Sequence, residues 1–84
     1  MSVDPQFIRI GMEVVGRDGE LAGTVKSVGD EAFHLDRPLA RDVMVPLEAV
    51  QAIVDATASD SVNPHVVLTI RADSVSDMGW PHPA

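Results

Sequence analysis

The amino-acid sequence predicts a small all-β domain, a β-barrel with a short helix at its C-terminal end. Three observations carry this. The stretch Val15 to Val28, V-G-R-D-G-E-L-A-G-T-V-K-S-V, sets a turn dipeptide between two apolar runs. Four further short apolar runs, Ala32 to Asp36, Asp42 to Pro46, Val50 to Val54 and His65 to Thr69, have strand-like lengths and are bounded by Gly, Pro, Asp and Ser. After Thr69 the spacing turns helical.

Taken in order, residues 1–6 contain Asp4-Pro5 and no periodicity, and read as a loose tail. Phe7, Ile8 and Ile10 form an apolar arm that either packs over one mouth of the barrel or docks a second copy. Gly11 to Val15 is the first strand. Asp18-Gly19 then turns the chain, because a tight hairpin needs positive φ at its centre and these residues tolerate it best. Leu21 to Val28 is the second strand, and Gly23 within it marks a bulge or sharp coiling.

Gly29-Asp30-Glu31 leads into a third strand with Phe33 and Leu35 inward and His34 and Asp36 outward. Pro38 ends it, making Arg37 to Arg41 a loop. A fourth strand, Asp42 to Pro46, meets one 3₁₀ turn at Leu47 to Val50, and Val50 to Val54 closes the sheet with Gln51 and Asp55 on the solvent side. Ala56 to Pro64 is small, polar and turn-prone, a flexible loop by composition. The last strand, His65 to Thr69, is continuously apolar, which suggests either burial on both faces or an open edge that a helix or a partner covers. Helical turns follow through Met78, with Thr69 as N-cap and Gly79 as C′. Trp80 to Ala84, rich in proline, reads as a second loose tail.

Eighty-four residues make one domain, residues 1–84, and a chain of this size hides only roughly 60% of its unfolded surface. With no cysteine there is no disulfide to add stability, so helix packing, self-association or an unusually complete barrel would each help. Thirteen acidic residues against six basic give a net charge of −7. Arg9, Arg17, Lys26, Arg37, Arg41 and Arg71 are isolated from one another in sequence, which opposes direct nucleic-acid binding and favours neutral or basic partners. Met1-Ser2-Val3-Asp4-Pro5 has neither a basic leader nor a long apolar run, so the expectation is a cytoplasmic chain that does not engage the membrane.

The best metal constellation is His34 with Asp36 on one strand face, joined by His65 across the sheet. No paired ligand spacing supports it, and a solvent-facing histidine beside a carboxylate is the simpler reading. The serines lie outside any nucleophile elbow, and the Gly16, Gly19 and Gly23 series lacks the lysine of a phosphate loop. The carboxylates of Asp18 and Glu20 suit local backbone amides. No catalytic residue and no cofactor is expected. Trp80 suits either packing within its own chain or an interface anchor, where tryptophan is enriched. Phe7, Ile8, Val67, Met78 and Trp80, apolar and placed at ends or edges, are the candidate contact residues.

Together, G-M-E-V-V-G-R-D-G-E-L-A-G-T-V at Gly11 to Val25, V-P-L-E-A-V at Val45 to Val50, V-V-L-T at Val66 to Thr69 and the short acidic helical tail resemble the PRC-barrel superfamily. That superfamily is shared by the photosynthetic reaction centre H subunit and a ribosome maturation factor, and the nearest match is its stand-alone group. The resemblance implies an SH3-like barrel of about five or six strands acting as a non-catalytic protein-binding or assembly module, either as a homodimer or with another protein. It also raises a ribosome- or RNA-linked assembly role, by analogy with the maturation factor. A small-ligand or metal-binding barrel using His34, Asp36 and His65 is a third class.

Overall fold

The structure, a computed structural model, describes residues 5–38, 40–54 and 64–83. The loop read at Ala56 to Pro64 lies outside these residues except for Pro64, as do Leu39 and the outermost residues of both tails. A 3₁₀ turn, Pro5–Phe7, precedes six strands: β1 (Glu13–Val15), β2 (Leu21–Val28), β3 (Ala32–Asp36), β4 (Val43–Pro46), β5 (Val50–Val54) and β6 (His65–Leu68). A 3₁₀ junction, Leu47–Ala49, joins β4 to β5, and a 3₁₀ helix, Ala72–Asp77, follows β6. The fold is small and all-β, as the alternation predicts.

The strands form one sheet in the order β4-β3-β2-β1-β6-β5. Every neighbouring pair is antiparallel except β1 with β6. β4 and β5 therefore lie at opposite edges although three residues separate them in sequence. Laid flat, six strands at about 4.8 Å spacing would hold those edges about 24 Å apart. A three-residue 3₁₀ turn advances only about 6 Å. The sheet has to curl until its edges approach, and it does so as a half-barrel around one apolar core.

Three bulges supply the bend. The β1–β2 register passes from Val14↔Gly23 to Val15↔Leu21 and leaves Ala22 extra; the others fall at Lys26 and Gln51. Gly23 sits beside the first. A Cβ there would overlap the Asp36 carbonyl oxygen, so glycine is what lets β3 cross β2 so closely. In the hairpin turn the Gly16 carbonyl accepts from the Gly19 N–H at 2.9 Å, and Gly19 takes a φ of +82°. Asp18 does not share that conformation, since no described residue other than glycine has positive φ.

Val14, Val25, Phe33, Leu35, Val45, Val66 and Leu68 are the fully enclosed centre. Ile8 from the arm, Met12 just before β1, Val43 of β4, Leu47 and Ala49 from the junction, Val50 of β5 and Val75 from the C-terminal helix complete the core. Of the arm's three apolar residues only Ile8 packs inward; Phe7 and Ile10 are exposed.

Two expectations are corrected. β6 is not an edge strand, because it lies hydrogen-bonded between β1 and β5. Its continuous apolarity reflects an interior position. Thr69 is not a helix cap either: the 3₁₀ helix starts at Ala72 behind Arg71, whose side chain makes no cap bond. The carboxylate of Asp18, from the distant hairpin, accepts the Ala72 N–H at 3.4 Å instead. Gly79 does occupy the C′ position, after the C-cap Met78 and with a φ of +70°.

Gly23→Ala is expected to lower stability by about 2 kcal/mol or more, as a backbone carbonyl must shift. Gly19→Ala, where nothing lies within 4 Å of the added carbon, should cost about 1 kcal/mol for its left-handed backbone. Urea unfolding of both variants measures the order; a Gly23→Ala midpoint equal to wild type would contradict the close crossing.

Candidate functional site

Strand alternation sorts the side chains into two faces. Val14 and Val66 point into the core, so their neighbours Val15 and Val67 point outward. The registers Ala52↔Val67, Val67↔Val15 and Val15↔Leu21 set these four residues side by side across β5, β6, β1 and β2. None is buried, and Leu21 is 56% exposed. An uncharged apolar row thus crosses the outer face. The next row, Val54, His65, Glu13, Thr24 and Asp36, is mostly polar.

That second row holds two of the predicted metal ligands apart. His65 and Asp36 share it, yet Glu13 and Thr24 stand between them, so three strand spacings, about 14 Å, separate their backbones. Zinc ligands bind at about 2 Å and cannot span that gap. His34 has its partner elsewhere, at Asp42: Nε2 to Oδ2 is 2.8 Å. Among the described residues no three metal-ligating side chains gather.

Of the predicted contact residues, Val67 belongs to the apolar row. Phe7 and Met78 are exposed at other points, whereas Ile8 is 4% exposed within the core and is not available to a partner. Trp80 is half-buried and packs against the core of its own chain. Both edges of the sheet are blunted. β4 has its Met44 N–H bonded to the Pro81 carbonyl at 2.8 Å, and β5 carries the bulge at Gln51.

The residue that sequence reasoning missed is Asp42, at the entrance of β4. Its Oδ2 meets His34, its Oδ1 accepts the Arg37 N–H at 3.2 Å, and its carbonyl accepts Nδ1–H of His82 at 2.7 Å. One residue therefore ties together β3, the β3–β4 loop and the C-terminal segment read as a loose tail. Foremost the His34 bond, then the Arg37 N–H, hold its carboxyl below the ordinary aspartate value, with smaller help from the charges of His34 and Lys26 against the opposing effect of burial. Asp18 is the second hub. Burial raises its pKa most strongly of the single effects, but the N–H groups of Glu20, Ala72 and Asp18 itself, with the Arg71 charge, together outweigh it and leave the value lowered.

Two adjoining clefts flank Arg37, whose Nη2 donates to Ser76 Oγ at 2.6 Å. The larger, about 570 Å³, holds Asp18, Glu20 and Asp73 beside Arg37 and Arg71. The smaller, about 280 Å³, is lined by Arg37, Arg41, Ser76, Trp80 and His82 over Val43 and Val75. The signal for the second was the R-x-x-x-R spacing in a chain of net charge −7. No protein-family model matches the chain, and no curated protein matches its sequence.

Both hub carboxylates have folded pKa values below the unfolded value of 3.8, so their stabilisation is present above that pH and is lost as pH falls through the lower folded values. Asp42→Asn should lower the melting temperature at pH 7 and shrink the further drop between pH 5 and pH 2. Thermal unfolding followed by circular dichroism across that range is the check, and a variant with the full wild-type acid loss would contradict the assignment.

Proposed function

We propose that this chain is a non-catalytic protein–protein interaction module of the PRC-barrel type, acting in the cytoplasm as a homodimer. The observation that carries the reading is the row Ala52, Val67, Val15 and Leu21, an uncharged strip on the outer face of a chain whose net charge is −7. Two such chains repel each other over most of their surfaces. They associate best where carboxylates are absent, and a two-fold contact of this row against itself meets that condition. Edge-to-edge pairing is disfavoured, because Pro81 covers β4 at Met44 and the Gln51 bulge interrupts β5.

The PRC-type assignment draws on the same elements as the curl: the glycine-bearing hairpin at Gly11 to Val25 and the V-P-L-E-A-V segment that contains the junction. The acidic balance supports a protein partner over a nucleic acid. Among the described residues no helix is long and apolar enough to cross a membrane.

Light scattering after gel filtration, run from micromolar to millimolar protein, should give a mass rising towards twice the 9.0 kDa of one chain. Leu21→Glu, an exposed site, should weaken the dimer at least about tenfold while leaving the circular dichroism spectrum unchanged. A wild-type mass of one chain at every concentration would overturn the reading.

A further inference from the structure

The six basic side chains of this acidic protein are not evenly used. In the larger cleft Arg71 already faces two carboxylates, with Nε 3.7 Å from Asp18 Oδ2 and 3.5 Å from Asp73 Oδ1. The smaller cleft differs: no carboxylate side chain lines it, and neither Arg37 nor Arg41 forms an ion pair among the described residues. Arg37 is instead anchored by the neutral Ser76 hydroxyl at 2.6 Å, and its backbone is fixed by Asp42. His82 is also held, since a carbonyl can only accept: Nδ1 carries the hydrogen bonded to Asp42, which fixes the ring at the cleft wall. The indole of Trp80 supplies an amphipathic side, and Val43 and Val75 an apolar floor.

We infer that the cleft between the β3–β4 loop and the C-terminal segment binds a small organic carboxylate with an aromatic or aliphatic body. Two guanidinium groups that form no ion pair among the described residues present planar donor forks that suit a carboxylate, and the low positive density of the rest of the chain makes this the place where such an anion gains most. The volume of about 280 Å³ admits a body of one ring and a short chain. The same chemistry is offered by a free carboxylic acid or by the C-terminal residue of a peptide. The site is separate from the apolar outer row, and its occupancy does not depend on self-association.

Trp80 is the single tryptophan of the chain, so its fluorescence reports on the site directly. Titration of the whole protein with 3-phenylpropionate should give a saturable change with a Kd of about 1 mM or tighter. The neutral 3-phenylpropionamide should give none. Arg41→Gln, at a side chain with no hydrogen bond among the described residues, should weaken binding about tenfold or more with the fold unchanged by circular dichroism, and Arg37→Gln should do likewise. A peptide ending in free phenylalanine that binds tighter than 3-phenylpropionate, with its C-terminal amide inactive, identifies a chain terminus as the source; the reverse order identifies a free acid. An equal response to the amide, an Arg41→Gln affinity equal to wild type, or saturation by inorganic phosphate but not by 3-phenylpropionate would each overturn the inference.

Discussion

The covalent link between the two edges of the sheet is the constraint on which the rest of this structure depends. Leu47–Ala49 must bring the end of β4 to the start of β5, and the four other strands have to fit between them in hydrogen-bonded order. The junction is fastened at both ends: the Leu47 N–H donates to the Glu31 carbonyl at 3.0 Å, and the Ala49 carbonyl accepts the Thr69 N–H at 2.8 Å. Curling is then obligatory. Bulges at Ala22, Lys26 and Gln51, and a glycine where β2 meets β3, are the local means by which the chain meets that demand.

Curling also determines what the protein can present to others. An interior filled with Phe33, Leu35 and the valines leaves chemistry to the rim and the outer face. At the rim, Asp42 gathers the loop and the C-terminal segment into one corner. On the outer face, the placement of β6 beside β1 brings Val67 next to Val15, and the apolar row exists only because of that parallel pairing. The corner at Asp42 and the apolar row therefore have different chemical character, one polar and flanked by Arg37 and Arg41, the other uncharged.

Much of this was legible from residue order. Alternation gave the inward pair Phe33 and Leu35, proline marked the end of β3, and glycine marked both the bulge region and the helix end at Gly79. Alternation reports which face a side chain takes, however, and says nothing about which strand lies next to it. That is why the pattern groups His65 with His34 and Asp36, and why it leaves β6 open to an interior or an edge position. The role of Asp42 was hidden for a related reason. Its partners, His34, Arg37 and His82, lie up to 40 positions away, and the segment bearing His82 has no periodicity from which a contact with β4 could be inferred.

The most direct test of the curled single sheet is residue-resolved amide hydrogen exchange on the whole chain. The hydrogen-bonded amides of β1, β2, β5 and β6 should open together with one free energy, and Met44, on an edge, should be protected by its bond to Pro81. A β5–β6 hairpin that exchanges through its own, distinctly easier opening while β1 to β4 stay protected would contradict the account, because the edges would then not be held together by the junction.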